Sequence, residues 1–94
     1  MESKDLLDKL ESVERTINIY ANDTEKLVEE IDIDIPVERL KNVVIPEDGD
    51  ILLYRDYLLN PKQLDELNSD LGGIIKPDFD LYYYVLECHG IYNW

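Results

Sequence analysis

Positive charge is scarce in this chain: nine Lys and Arg residues stand against 22 Asp and Glu, a formal net charge of −13 in 94 residues. A field of that sign repels nucleic acid and anionic membrane, and it speeds encounter with basic partners. Cysteine is scarcer still. Cys88 alone allows no internal disulfide and no thiolate zinc cluster, which agrees with a reducing compartment. His89 is the single histidine, too few imidazoles for a mixed Cys/His zinc site. Among the four glycines, Gly72-Gly73 follows a helical pattern instead of opening one, so no phosphate-cradling loop is present. No apolar run approaches the roughly 20 residues that span a bilayer, and Met1-Glu2-Ser3-Lys4-Asp5 lacks the basic-then-apolar order of a signal peptide. These absences lead to the expectation of a cytoplasmic protein with no membrane or nucleic-acid partner and no cofactor.

The chain does contain apolar residues in quantity, at 45%, too many for a disordered acidic tail. Its length suits one modest core, so a single domain over residues 1–94 is expected. No repeat or linker divides it. Six basic and twelve acidic residues fall in 1–42, and three and ten in 43–94, so the acidity belongs to the whole surface.

Hydrophobic spacing predicts the elements. Leu6, Leu7, Leu10 and Val13 recur at helical intervals and predict a short amphipathic helix. From Val13 the period becomes two, with Val13, Arg15, Ile17, Ile19 and Ala21 on one side and Glu14, Thr16, Asn18 and Tyr20 on the other, which predicts a strand. Asn22-Asp23-Thr24-Glu25 supplies a turn, and a second arm over Leu27–Ile35 completes a β-hairpin, its alternation broken at Val28. Ile31, Ile33 and Ile35 share one face of that arm, and Glu30, Asp32 and Asp34 the other. Pro36 suits the first position of a helix carrying Val37, Leu40 and Val44, which Pro46 ends. Residues 51–54 are either a short strand or a buried loop. Asn60-Pro61-Lys62-Gln63 reads as a capped helix start, Leu64, Leu67 and Leu71 as its buried stripe, and Gly72-Gly73 as its stop. Leu81–Cys88, apolar or aromatic on both faces, is the candidate central strand. The sum is an α+β domain: a β-hairpin plus a C-terminal central strand in an antiparallel sheet, with two or three short helices on one face.

Chemistry finds few footholds. Cys88 and His89 are neighbours on a strand and point to opposite faces, so they are poorly placed as nucleophile and base. An acid/base pair of carboxylates needs an apolar pocket that sequence does not reveal. Neither the Glu30/Asp32/Asp34 row nor Glu47-Asp48-Gly49-Asp50 fits the spacing of a calcium loop, and no metal site or enzyme is expected.

Recognition remains. Seven of the nine aromatic residues are Tyr, a side chain that combines contact area with a polar tip. Tyr82 and Tyr84 share a strand face opposite Tyr83, and either an exposed tyrosine patch or burial under Ile91-Tyr92-Asn93-Trp94 is compatible with the pattern. The expected partner-binding set is Glu30, Asp32, Asp34, Glu47, Asp48, Asp50, Tyr82 and Tyr84, an acidic and aromatic surface suited to Lys and Arg on a partner.

With its length, its acidity and its order from Val13 to Gly90, the chain resembles the small acidic immunity proteins of bacterial polymorphic toxin systems, including contact-dependent inhibition. Glu30-Ile31-Asp32-Ile33, Pro46-Glu47-Asp48 and Phe79-Asp80 before an aromatic last strand also look like a group of uncharacterised bacterial proteins associated with such loci. The resemblance implies a cytoplasmic inhibitor that occludes a cognate toxin, often a nuclease with a basic active site. Four other readings stand beside it. They are a DNA mimic, an acidic regulatory or adaptor subunit, an acidic domain whose charge serves solubility alone, and a small enzyme built on clustered carboxylates.

Overall fold

The two-residue period that starts near Val13 becomes the longest ladder of the protein. A computed structural model describes residues 10–92, with side chains from Glu14 to Gly90. Strand β1 spans Leu10–Ala21 and pairs along its length with β4, Tyr82–Tyr92. On its other side β1 pairs with β2, Leu27–Ile33, and β4 pairs with the three-residue β3, Tyr57–Leu59. All pairings are antiparallel, in the order β2-β1-β4-β3. Helices α1 (Val37–Val43) and α2 (Pro61–Asp70) give the α+β arrangement that the pattern predicts, with the last strand inside the sheet.

Directly paired residues share a face, so the register sorts the side chains. Ile17 pairs with Leu86 and Ile31, and Ile19 with Tyr84; Tyr57 and Leu59 join the same face opposite Leu86 and Tyr84. Leu40 and Val43 of α1 and Leu64 and Leu67 of α2 close over it to complete the core. Alternation fails at Val28 because the ladder shifts there: Ile19 pairs with Glu29 and Tyr20 with Leu27, which leaves Val28 as the extra residue of a β-bulge.

The predicted N-terminal helix does not extend to Leu10 and Val13, which lie in β1; its earlier residues are outside the described range. Strand pairing with β4 outweighs the local helical spacing there. Helix α2 begins as predicted, with Asn60 and Gln63 exchanging side-chain and backbone hydrogen bonds of 2.9 and 2.8 Å and Pro61 at the first position. It ends at Gly72 and Gly73, both at positive φ. Beyond them Asn68, buried in the last turn of α2, brackets Ile75 by donating to its carbonyl (2.8 Å) and accepting from its N–H (2.9 Å).

Residues 51–54 form a loop, not a strand. Leu53 is fully buried at a φ of 57°, and Arg15 on the core face of β1 holds the loop, its Nη2 donating to the Leu52 carbonyl at 2.7 Å. Asp50 is the pivot. Its carboxylate accepts from the backbone N–H groups of Tyr54 (2.8 Å) and Arg55 (3.0 Å) and from the Tyr57 hydroxyl (2.5 Å), which also accepts from the Glu47 N–H. Burial pushes the Asp50 carboxyl up, but the three hydrogen bonds outweigh it and hold the group below the usual carboxylate range.

A depressed carboxyl contributes stability that is complete above its unfolded pKa, about 3.9, and is lost as pH falls through the lower folded value. Asp50→Asn is therefore expected to lower urea stability at pH 7, with the gap from the parent closing below about pH 4; a gap independent of pH contradicts the ionised pivot. Asn68→Ala strands both polar groups of Ile75 and is expected to cost roughly 2 kcal/mol or more in the same assay.

Candidate acidic recognition face

The second face of the sheet is built by the other parity of the same strands. Its rows read across β2, β1 and β4 as Asp32–Thr16–Glu87 and Glu30–Asn18–Val85, with Glu14 beside His89 and Tyr20 beside Tyr83. Leu58 of β3 extends the Val85 row and is 69% exposed. Neither α1 nor α2 contributes to this face.

Thr16 and Asn18 are buried at its centre although both are polar, and a relay of hydrogen bonds satisfies them. The Thr16 hydroxyl donates to Asn18 Oδ1 (2.7 Å), Asn18 Nδ2 donates to the Tyr20 hydroxyl (3.4 Å), and that hydroxyl donates to Glu87 Oε2 (2.5 Å). The Tyr20 ring stacks on Tyr83 with centroids 5.2 Å apart and planes 15° from parallel. Glu14, Glu30 and Asp32 stand exposed around this polar centre. His89 Nε2 lies 3.9 Å from Glu30 and 3.8 Å from Glu87. No Lys or Arg occurs in these rows. The result is a shallow, rigid surface with a stacked tyrosine pair and carboxylates at its margins, suited to guanidinium and ammonium groups.

Only part of the expected set meets here. Glu30 and Asp32 belong to the face, and Asp34 is exposed just past the end of β2. Glu47 and Asp48 are exposed in the loop that wraps the Tyr57 hydroxyl on the helix-bearing side, so the two acidic segments do not form one surface. Asp50 is buried as the pivot of that loop and does not serve as a surface anchor. Tyr84 is 1% exposed; it packs against Phe79 in the core, and its hydroxyl accepts from the Asp78 N–H at 3.0 Å. Tyr82 is half-buried on the same side, against the core. The aromatic member of the acidic face is Tyr83 with Tyr20, and the parity that sets Tyr83 opposite Tyr82 and Tyr84 already distinguishes it. Glu14 and Glu87 were findable in the same way, from their place opposite Ile17 and Leu86.

Cys88 and His89 point to opposite faces. Cys88 lies beside Arg15 on the helix side, where burial pushes its thiol up against the opposing pull of the guanidinium. Among the described residues no group of three or more His, Cys, Asp or Glu side chains is gathered to hold a metal ion.

The Glu87 bond requires a protonated phenol and raises Tyr20 above its ordinary range; the Asn18 amide opposes it, while burial and the charges of Glu87 and Asp56 add to the rise. In a ¹³C-tyrosine NMR titration Tyr20 is expected to ionise above the usual value of about 10, and Glu87→Gln to bring it down. An unchanged midpoint in that variant contradicts the relay.

Neither curated proteins nor solved structures yield a match to this chain. No helix among the described residues is long and apolar enough to cross a membrane. A family model described as a domain of unknown function (DUF7683) matches residues 14–87, which take in β2, α1, β3, α2 and most of β1 and β4. The sheet, its helices and its acidic face are therefore those of a member of the DUF7683 family.

Proposed function

We propose that this protein is an immunity protein that binds and neutralises a cognate basic bacterial toxin, most readily a nuclease, in the cytoplasm of the producing cell. The observation that carries the reading is the acidic face: Glu14, Glu30, Asp32 and Glu87 share with the Tyr20–Tyr83 stack the sheet face that α1 and α2 leave open. Such a face needs no chemistry of its own. It occludes a basic active site by meeting its Lys and Arg side chains, with the tyrosines as anchors and the carboxylates as electrostatic complement. The net charge of −13 adds long-range steering, which takes association toward about 10⁸ M⁻¹s⁻¹ or faster at low salt. Speed is what an antidote requires.

The sheet also favours occlusion over flexible wrapping. Thr16 and Asn18 are locked by side-chain hydrogen bonds, and both flanking strands hold the ladder, so binding orders little that was free beforehand.

Affinity capture from the source lysate after nuclease treatment, at low and moderate salt, tests the proposal. One basic protein at equal stoichiometry, toxic alone and harmless when this chain is co-expressed, is the expected result. Recovery of several unrelated DNA-binding proteins that elute with added DNA contradicts it in favour of mimicry, and a partner that stays active in the complex contradicts it in favour of an adaptor. With the partner in hand, the double variant Glu30→Lys/Asp32→Lys is expected to weaken binding by at least about tenfold at low salt. Glu47→Lys/Asp48→Lys, on the helix-bearing side, should change it little. The reverse ranking moves the interface to the loop.

A further inference from the structure

The acidic face ends at β2, and β2 is an edge. Among the described residues its one strand neighbour is β1, so every second residue along it directs an N–H and a C=O away from the sheet. The opposite edge, β3, is only three residues long and runs directly into Asn60-Pro61. Strand β2 has seven residues and carries neither Lys nor Pro, and its bulge at Val28 leaves Glu29–Ile33 in regular register. It is the edge open to pairing.

Beside it, on the helix-bearing side, lies a groove of about 520 Å³. Val28, Glu29 and Ile31 of β2 line it together with Ile74 and Lys76 from the segment after α2 and Tyr82 of β4. Ile74 is 62% exposed and Val28 54%, so the rim offers apolar surface to solvent between the charged side chains of Glu29 and Lys76. Helix α2 packs against β3, and no residue of α1 or α2 lines the groove.

We infer that the outer edge of β2 accepts an extended segment of the basic partner as a fifth strand, whose alternate apolar side chains enter the groove beside Ile74. The inference rests on the recognition reading above and specifies the form of the ligand. A strand added about 4.8 Å from β2 follows its pleat, so one set of side chains aligns with Glu29 and Ile31 and the other with Glu30 and Asp32. The first set lies beside Ile31 and Ile74, and favours Val, Ile or Leu. The second reaches the acidic face, and favours Lys or Arg. A second copy of this chain is a poor occupant, because pairing β2 with β2 brings Glu29, Glu30 and Asp32 of one molecule against the same row of the other. The carboxylates thus guard the edge against self-association while leaving it open to a basic strand.

The probes are two N-acetylated, C-amidated octapeptides: one alternates Lys and Val, and the other keeps the same lysines with two valines replaced by Pro. Binding to the full chain is followed by NMR titration and amide hydrogen exchange. The alternating peptide is expected to bind about tenfold more tightly than its Pro counterpart and to slow exchange at alternate amides of residues 27–33. Ile74→Ser, which removes the apolar side chain at an exposed position without changing the charge, should weaken the alternating peptide about fivefold with little effect on the other. Equal affinities, or shifts centred on Tyr20 and Tyr83 with β2 exchange unchanged, overturn the edge pairing and leave the acidic-face reading intact. Failure of both peptides to bind also overturns the edge pairing, and the capture experiment then judges the recognition reading separately.

Discussion

The register between β1 and β4 is the constraint on which the rest of the molecule depends. Opposing Ile17 to Leu86 and Ile19 to Tyr84 gives the helices an apolar floor, and the same pairing necessarily sets Thr16, Asn18 and Tyr20 beside Glu87, Val85 and Tyr83 on the reverse. A slip of one residue would set Ile17 beside Glu87 or Val85, so that one strand's polar set would lie under α1 and α2 with the other strand's apolar set. Fold and acidic face are therefore specified together. A substitution that loosens the floor disturbs the acidic face without touching it.

A chain this acidic must build a core against its own repulsion, and it does so with little cationic help. The few fixed charges inside are placed where they organise loops. Asp50 gathers Tyr54, Arg55 and Tyr57, and Arg15 reaches over the core to Leu52, with its guanidinium 6.0 Å from the centre of the Tyr54 ring. Arg39 of α1 pairs with Asp70 at the end of α2 at 2.7 Å, a partly exposed link that adds modestly to the helix packing. Most of the remaining carboxylates are exposed to water, where they cost least.

Periodicity made most of this legible. The alternation in β1 and β2, the hairpin turn after Ala21, the capping box of α2 and the aromatic last strand are local signals, and each appears, with β2 ending at Ile33 instead of Ile35 and β4 spanning Tyr82–Tyr92 instead of Leu81–Cys88. Three features were not legible, each for a non-local reason. Strand β3 is too short to show a period and exists because β4 offers it an edge. Leu10–Val13 carries helical spacing yet lies in a strand, since pairing with β4 decides its state. Asp50 looks like any loop carboxylate until the chain folds Tyr57 back onto it. The site was half legible for a related reason. The parity of Glu30 and Asp32 is local, whereas joining them to Glu14, Tyr20, Tyr83 and Glu87 requires the order of strands in the sheet, which no single segment encodes.

The molecule therefore divides into a side that carries the core and a side proposed to bind, and consecutive tyrosines report on each. Hydroxyl-radical footprinting of the free protein and of its complex, read at single residues by mass spectrometry, tests this division most directly. Tyr84 should be protected in both states, while Tyr83 and Tyr20 should react in the free protein and become protected in the complex. Modification of Tyr84 in the folded free protein, or reactivity of Tyr83 unchanged by the partner, would contradict the account.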